Sequence, residues 1–255
     1  MSPLTKATEL DKVNMFEKYE AFLFDLDGTV WKGNHVIPGV TDVLELLRYH
    51  KKKVFFVTNN ATKARSANIE RLSSFGIISN ESEMYTSAFA AVLHLQSLNF
   101  KRKVYVIGEV GLVQELRAAG FEVIGGHEHA GLKFDFTNKQ KEPSVDIDRE
   151  IGAVIVGLDR EISYFKVQYA LTCLLEIPDC LFIACNEDQR GHFSQDQEWA
   201  AAGTMVAMVK FCSGRTPHVV GKPSSLILKH VCSSNQLSPN QCLIVGDRLD
   251  TDILW

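Results

Sequence analysis

The sequence is short of the features that mark whole classes of protein. It has no long basic run and no interleaving of aromatic with basic residues, and its 27 Lys+Arg against 31 Asp+Glu give a formal net charge of −4. That excludes an electrostatic nucleic-acid surface. No apolar run approaches the roughly 20 residues of a membrane span. The N-terminal stretch MSPLTKATELDKVNMFEKYE is polar and carries acids, so it reads neither as a secretory signal nor as an Arg-rich transit peptide. There is no CxxC pair: the six cysteines (Cys173, Cys180, Cys185, Cys212, Cys232 and Cys242) all lie in the C-terminal half without a regular framework, and read as small buried hydrophobes of a reducing cytosol. No internal repeat or low-complexity segment stands out. What is present is a chain of 255 residues, 45% hydrophobic, enough for one large or two small globular domains with a substantial core. Its ligand is expected to be small or neutralised by a metal.

Apolar runs alternate with helical patterns. AFLFDLD reads as a strand buried on both faces until its acids, followed by a helix in which Val40, Val43, Leu44 and Leu47 recur at helical spacing, then by the buried strand KVFFVTNN. A helix over ATKARSANIERLSSFG closes on Gly76, and EMYTSAFAAVLHLQSL turns from strand into helix. From about Lys103 the pattern restarts with KVYVIG, GLVQELRAAG, FEVIGG, IGAVIVGLD and CLFIACN, and it ends on the helix SLILKHVCSSNQ and the strand QCLIVGD. This alternation predicts an α/β fold with parallel sheets, one unit interrupted by another.

The strands beginning near 21, 53 and 241 each end in a polar cluster: DLDGT, TNN and GDRLDTD. Ligands of open parallel sheets bind beyond the carboxyl ends of the strands, so the three can converge on one crevice. Asp25, Asp27 and Asp247 form a hard-oxygen set suited to Mg²⁺, which would offset the repulsion between them. Thr58 with the amides around Asn59 and Asn60 offers neutral donors, and Lys222 offers a positive charge; both suit phosphate oxygens. An aspartate nucleophile attacking phosphorus, with a second carboxylate two residues on as acid and base, is a coherent mechanism. An EF-hand fails because the twelfth position from Asp25 is Val36, and VVGKPS is no Walker loop because Pro223 follows the lysine. His127 and His129 read as a surface loop, whereas His192 lies in a loop that can hang over the crevice. Arg248 and Asp250 read as orienting or surface residues, and Asp252 as a hydrogen-bond partner behind the metal cluster.

With DLDGT, VTNN, GKPS and GDRLDTD in this order, the chain resembles the haloacid dehalogenase superfamily of phosphatases. It looks most like the branch holding 4-nitrophenyl, pyridoxal phosphate and phosphoglycolate phosphatases, and within it closest to the phosphoglycolate phosphatases of plants and algae. The resemblance implies a Rossmann-like core, residues 1–102 and 217–255, and a large inserted α/β cap, 103–216, with a substrate-specificity loop. It implies Asp25 as nucleophile and Mg²⁺ ligand, Asp27 as general acid/base with its backbone carbonyl on the metal, and Asp247 as the third protein ligand. Thr58, Asn59, Asn60 and Lys222 would hold the phosphate. The implied substrate is a small phosphorylated metabolite, 2-phosphoglycolate first, with pyridoxal phosphate or broad 4-nitrophenyl phosphate activity as the alternative. The implied partners exclude nucleic acid and membrane and include a second copy paired through the cap. The expected compartment is the cytoplasm, with an organelle left open. Cys185 stands where the family carries threonine. Family members also continue past the DTDIL segment, so the core is expected to be C-terminally incomplete, its strand CLIVG at the sheet edge. A silent isoform acting by dimerisation is the alternative from another class.

Overall fold

The computed structural model describes residues 6–137, 142–191 and 197–255. Its elements run α1 (Glu9–Lys18), β1 (Ala21–Phe24), the short pair β2 (Trp31–Lys32) and β3 (His35–Val36), α2 (Val40–Tyr49), β4 (Lys53–Thr58), α3 (Arg65–Ser74), β5 (Met84–Thr86) and α4 (Ser87–Ser97). They continue with β6 (Lys103–Ile107), α5 (Val110–Ala118), β7 (Val123–Gly125), β8 (Ile151–Val156), α6 (Tyr164–Glu176), β9 (Leu181–Ala184), β10 (Arg190–Gly191), β11 (Trp199–Ala200), α7 (Ala202–Ser213), β12 (His218–Val219), α8 (Leu226–Asn235) and β13 (Cys242–Val245). The polar first segment, read only as an absence of signals, forms α1, whose Thr8 and Asp11 make a reciprocal capping box.

One parallel sheet has the order β13-β1-β4-β5, and a second has β12-β9-β8-β6-β7. Strand residues alternate between cores with period two. Leu23, Phe55 and Val57 face one apolar cluster and Phe22, Phe24, Val54 and Phe56 another. In the second sheet Val104, Val106 and Ile155 face that first cluster, while Tyr105, Val154 and Val156 face a third. The two units therefore share one continuous core, into which α4, α5 and α8 pack (Leu95, Leu112, Leu116 and Ile227 among others). Burial on both faces is the reason these strands read as unbroken apolar runs. The second sheet reaches past the expected boundary at 216, because β12 pairs in parallel with β9. Helix α2 buries Leu44 and Leu47 and leaves Val43 46% exposed, so its apolar stripe is narrower than the spacing suggested. Strand β13 pairs with β1 alone among the described residues, and its four residues are half-buried.

Candidate active site

Register brings three strand tips together. Strand β1 lies between β13 and β4, with Phe24 opposite Val245 on one side and Phe56 on the other, and the Asp25 amide donates to the Val245 carbonyl at 2.8 Å. The chain then turns at Gly28, whose φ of +99° favours glycine, and a Cβ there would lie 2.4 Å from Asp247 Oδ2. Backbone conformation and the neighbouring carboxylate thus both require the glycine of DLDGT. A cavity of about 410 Å³ opens beyond the tips, lined by Asp25, Asp27, Thr58, Asn59, Asn60, Lys222, Asp247 and Asp252, with Asn186, Asp188 and Arg190 from the second unit.

Lys222 is 3% exposed and uses its ammonium group on three acceptors: Asp25 Oδ1 at 2.5 Å, Asp252 Oδ1 at 2.6 Å and the Val57 carbonyl at 3.2 Å. Burial alone would lower the Lys222 pKa, but Asp25 and Asp252 hold it above its ordinary value. Burial pushes the Asp25 carboxyl up to about 7, against the pull of Lys222. Burial likewise raises Asp247 and Asp188. Oxygen atoms of Asp25, Asp247 and Asp252 lie within 4.8 Å of one another. An all-carboxylate set holding more negative charge than Lys222 neutralises fits a hard divalent cation such as Mg²⁺. Asp252, expected behind the cluster, is a member of it, with its other oxygen accepting from the Arg248 amide at 3.1 Å. The Asp27 side chain takes no part in it and points to Trp31, whose Nε1 donates to Oδ1 at 2.7 Å.

The expectation concerned Thr58 and the amides around the asparagine pair; the two asparagine side chains hold the loop itself. Asn59 Oδ1 accepts from the Lys222 amide at 2.8 Å, and Nδ2 donates to the Lys222 carbonyl at 3.0 Å and to both Asp188 oxygens at 3.3 Å. Its side chain clamps the lysine backbone. Its carbonyl accepts from Ser87 Oγ and Asn186 Nδ2. Thr58 Oγ1 accepts from the Asn60 amide at 3.1 Å, and Asn60 Oδ1 caps Thr62. The loop that faces the cavity is thereby fixed from both units. His192 lies outside the described residues. His127 is exposed and pairs with Glu161, but His129 packs against Tyr105, Phe165 and Tyr169, so the expected surface loop holds for only one of the two. Cys185 is fully buried, and its carbonyl accepts from the Gly221 amide at 2.8 Å. Sequence reasoning missed Asp188 and Trp31: both contacts depend on how loops fold back, and only the polar composition of NEDQRG and the closeness of Trp31 to DLDGT could have hinted at them.

Two family models, described as haloacid dehalogenase-like hydrolase and HAD-hydrolase-like, match residues 22–122 and 219–255. Phosphoglycolate phosphatase 2 of Arabidopsis thaliana is 42% identical over 245 residues, covering 95% of this chain and 80% of that protein. The chain belongs to the haloacid dehalogenase-like hydrolases. Within them it is also 42% identical to the chloroplastic phosphoglycolate phosphatase 1A of A. thaliana, over 94% of this chain, and spans 66% of that relative's length. The 4-nitrophenylphosphatase of Schizosaccharomyces pombe is 33% identical, over 93% of this chain and 79% of that protein. Among solved structures, the p-nitrophenyl phosphatase from Archaeoglobus fulgidus superposes with a TM-score of 0.78 at 29% identity, over 93% of this chain and 82% of that one. For this hydrolase-family chain, then, the parallel-sheet fold is a shared architecture. No helix among the described residues is long and apolar enough to cross a membrane.

Proposed function

We propose that the protein is a Mg²⁺-dependent phosphatase that hydrolyses a small phosphomonoester through an aspartyl-phosphate on Asp25, with 2-phosphoglycolate as substrate. The observation that supports it most is Asp25 itself: a strand-tip carboxylate, buried beside Lys222 and two further acids, and open to a cavity of small-molecule size.

Asp25, Asp247 and Asp252 would hold the cation, and when bound it supplies positive charge that keeps Asp25 ionised and neutralises phosphoryl oxygens. The ionised Asp25 oxygen attacks phosphorus, and the bond from phosphorus to the ester oxygen breaks. Asp27 gives a proton to that leaving oxygen. With Oδ1 held by Trp31, the proton sits on Oδ2. Water then attacks the phosphorus of the aspartyl-phosphate, Asp27 takes up its proton, and Asp25 is released with inorganic phosphate. Lys222 touches Asp25 throughout, so its charge lies next to each phosphorus–oxygen bond made or broken there.

The relatives' names support the substrate class: phosphoglycolate phosphatases at 42% identity, ahead of 4-nitrophenylphosphatase and glycerol-3-phosphate phosphatases at 32–35%. The test is release of phosphate from 4-nitrophenyl phosphate and then from 2-phosphoglycolate, with and without Mg²⁺, beside an Asp25→Asn control. Turnover that depends on Mg²⁺ and on Asp25 is expected; turnover no higher than the control sinks the activity, and a preference for glycerol 3-phosphate sinks the substrate.

A further inference from the structure

Away from the cavity, two thiols meet. Cys232 on α8 and Cys242 at the first position of β13 have their Sγ atoms 3.8 Å apart. Cys232 is buried, while Cys242 is half-buried on a strand with a neighbour on one side only among the described residues, and its Sγ also donates to the Ser238 carbonyl at 3.6 Å. A disulfide needs the sulfurs at ~2.05 Å. At 3.8 Å the two sulfurs are already in van der Waals contact, so bond formation must draw them about 1.8 Å closer.

We propose that Cys232 and Cys242 are a dithiol site that exchanges with low-molecular-weight disulfides to form a reversible intramolecular disulfide. Cys242, the more accessible of the two, loses its proton to solvent and attacks one sulfur of the small disulfide. That S–S bond breaks, one thiolate leaves, and a mixed disulfide forms on Cys242. Deprotonated Cys232 then attacks the Cys242 sulfur and expels the second small thiolate. The protein dithiol gives up two electrons and the small disulfide becomes two thiols. Burial, with Cys232 beside it, pushes the Cys242 thiol up to about 12, so exchange is slow at neutral pH and the pair responds to sustained oxidation, not to brief exposure.

The placement gives the bond a consequence. Helix α8 follows the Lys222 loop and β13 leads into Asp247, so the disulfide would staple the strand that delivers one carboxylate to the helix behind the lysine. Covalent closure of so short a loop restricts the unfolded chain and holds β13 in place. This inference does not depend on which phosphomonoester the cavity takes, or on whether it takes one.

The two thiols lie in one tryptic peptide, residues 230–248, with no other cysteine in it. The folded protein, reduced and freed of reductant, is incubated with oxidised glutathione for hours, quenched in acid, and unfolded in iodoacetamide before digestion. The reduced control should carry two alkyl labels on that peptide. After oxidation the expected product is an unlabelled peptide two hydrogens lighter, regenerated by dithiothreitol. Two labels, a lasting single glutathione adduct, or a cross-link to a second chain would each overturn the proposal. In Cys232→Ser the loss of two hydrogens must disappear. The oxidised protein is expected to melt a few degrees higher than the reduced one; a lower melting point would overturn the stapling role.

Discussion

Trp31 shows how much of the site's precision sits in single side chains. Its indole N–H holds Asp27, while its ring is 6.0 Å from that of Phe75 and 4.3 Å from the Arg71 guanidinium, which also donates to the Gly33 carbonyl. Trp31→Phe keeps most of the packing and removes only the donor, so a net loss of about 1 kcal/mol is expected. Because Asp27 acts on the leaving oxygen, that loss should fall on kcat, about fivefold, with KM little changed; steady-state kinetics on 4-nitrophenyl phosphate reads it. Lys222→Met is harsher. It leaves Asp25 and Asp252 facing each other in a buried space without their shared cation. Removing one partner of such a network costs about 3–5 kcal/mol, so a large drop in melting temperature and loss of turnover are expected together. The identities of Asp25, Asp27, Lys222 and Asp247 were legible in the sequence because each follows directly on a local signal, a buried strand or a glycine turn. Their surroundings were not: that the Asp27 side chain meets Trp31, and that Asp252 lies beside Asp25 and Asp247 with the Arg248 amide on its other oxygen, are contacts which strand patterning does not specify.

At the scale of elements, α5 of the second unit acts on the loop that carries Asn59 and Asn60. Gly111 donates its amide to the Thr62 carbonyl at 3.1 Å, and a Cβ there would meet the Lys63 backbone at 2.3–2.5 Å. One turn on, Glu115 accepts from the Arg65 amide at 2.6 Å and from Arg65 Nε at 3.0 Å. It thus caps α3, whose own N-cap residue, Ala64, offers no side-chain acceptor. Gly111→Ala forces helix and loop apart, and overpacking of this kind costs about 1–3 kcal/mol. The variant should melt lower and lose kcat, and a structure of it should show the 58–64 loop displaced; an unchanged loop and unchanged kcat would show that α5 does not position it. Glu115→Gln retains an acceptor for the Arg65 amide and should be much milder than Glu115→Ala in the same melting assay. The strand and helix order was legible because both sheets are buried on two faces and punctuated by glycine. The clasp between α5 and the loop was not, since a glycine in a helix and a half-apolar helix face read alike whether the neighbour is solvent or another unit.

For the whole molecule, the ionisable groups pull stability in opposite directions, and a cation should decide between them. His94, stacked on His218 at 4.1 Å, and His129 and His230, each beside aromatic rings, are held below the ordinary histidine value, chiefly by burial. A group whose folded pKa is lowered gives stability above its unfolded value, about 6.5, and that stability is lost as the pH falls through the folded value. Asp25, raised to about 7, has the reverse sign, as do Asp188 and Asp247. Their contribution is present below about 3.9 and is lost as the pH rises, for Asp25 through about 7. Without metal the two trends oppose each other between those limits. A divalent cation needs the ionised carboxylates, so at pH 8 it removes their penalty and adds binding free energy, about 2.7 kcal/mol at a hundredfold excess over Kd. At pH 5.5 it must first displace the Asp25 proton. The melting temperature in Mg²⁺ should therefore exceed that in EDTA by several degrees at pH 8, by little at pH 5.5, and by nothing at either pH in Asp25→Asn. Equal Mg²⁺ shifts at both pH values would mean that the cation binds elsewhere than at the three strand-tip carboxylates.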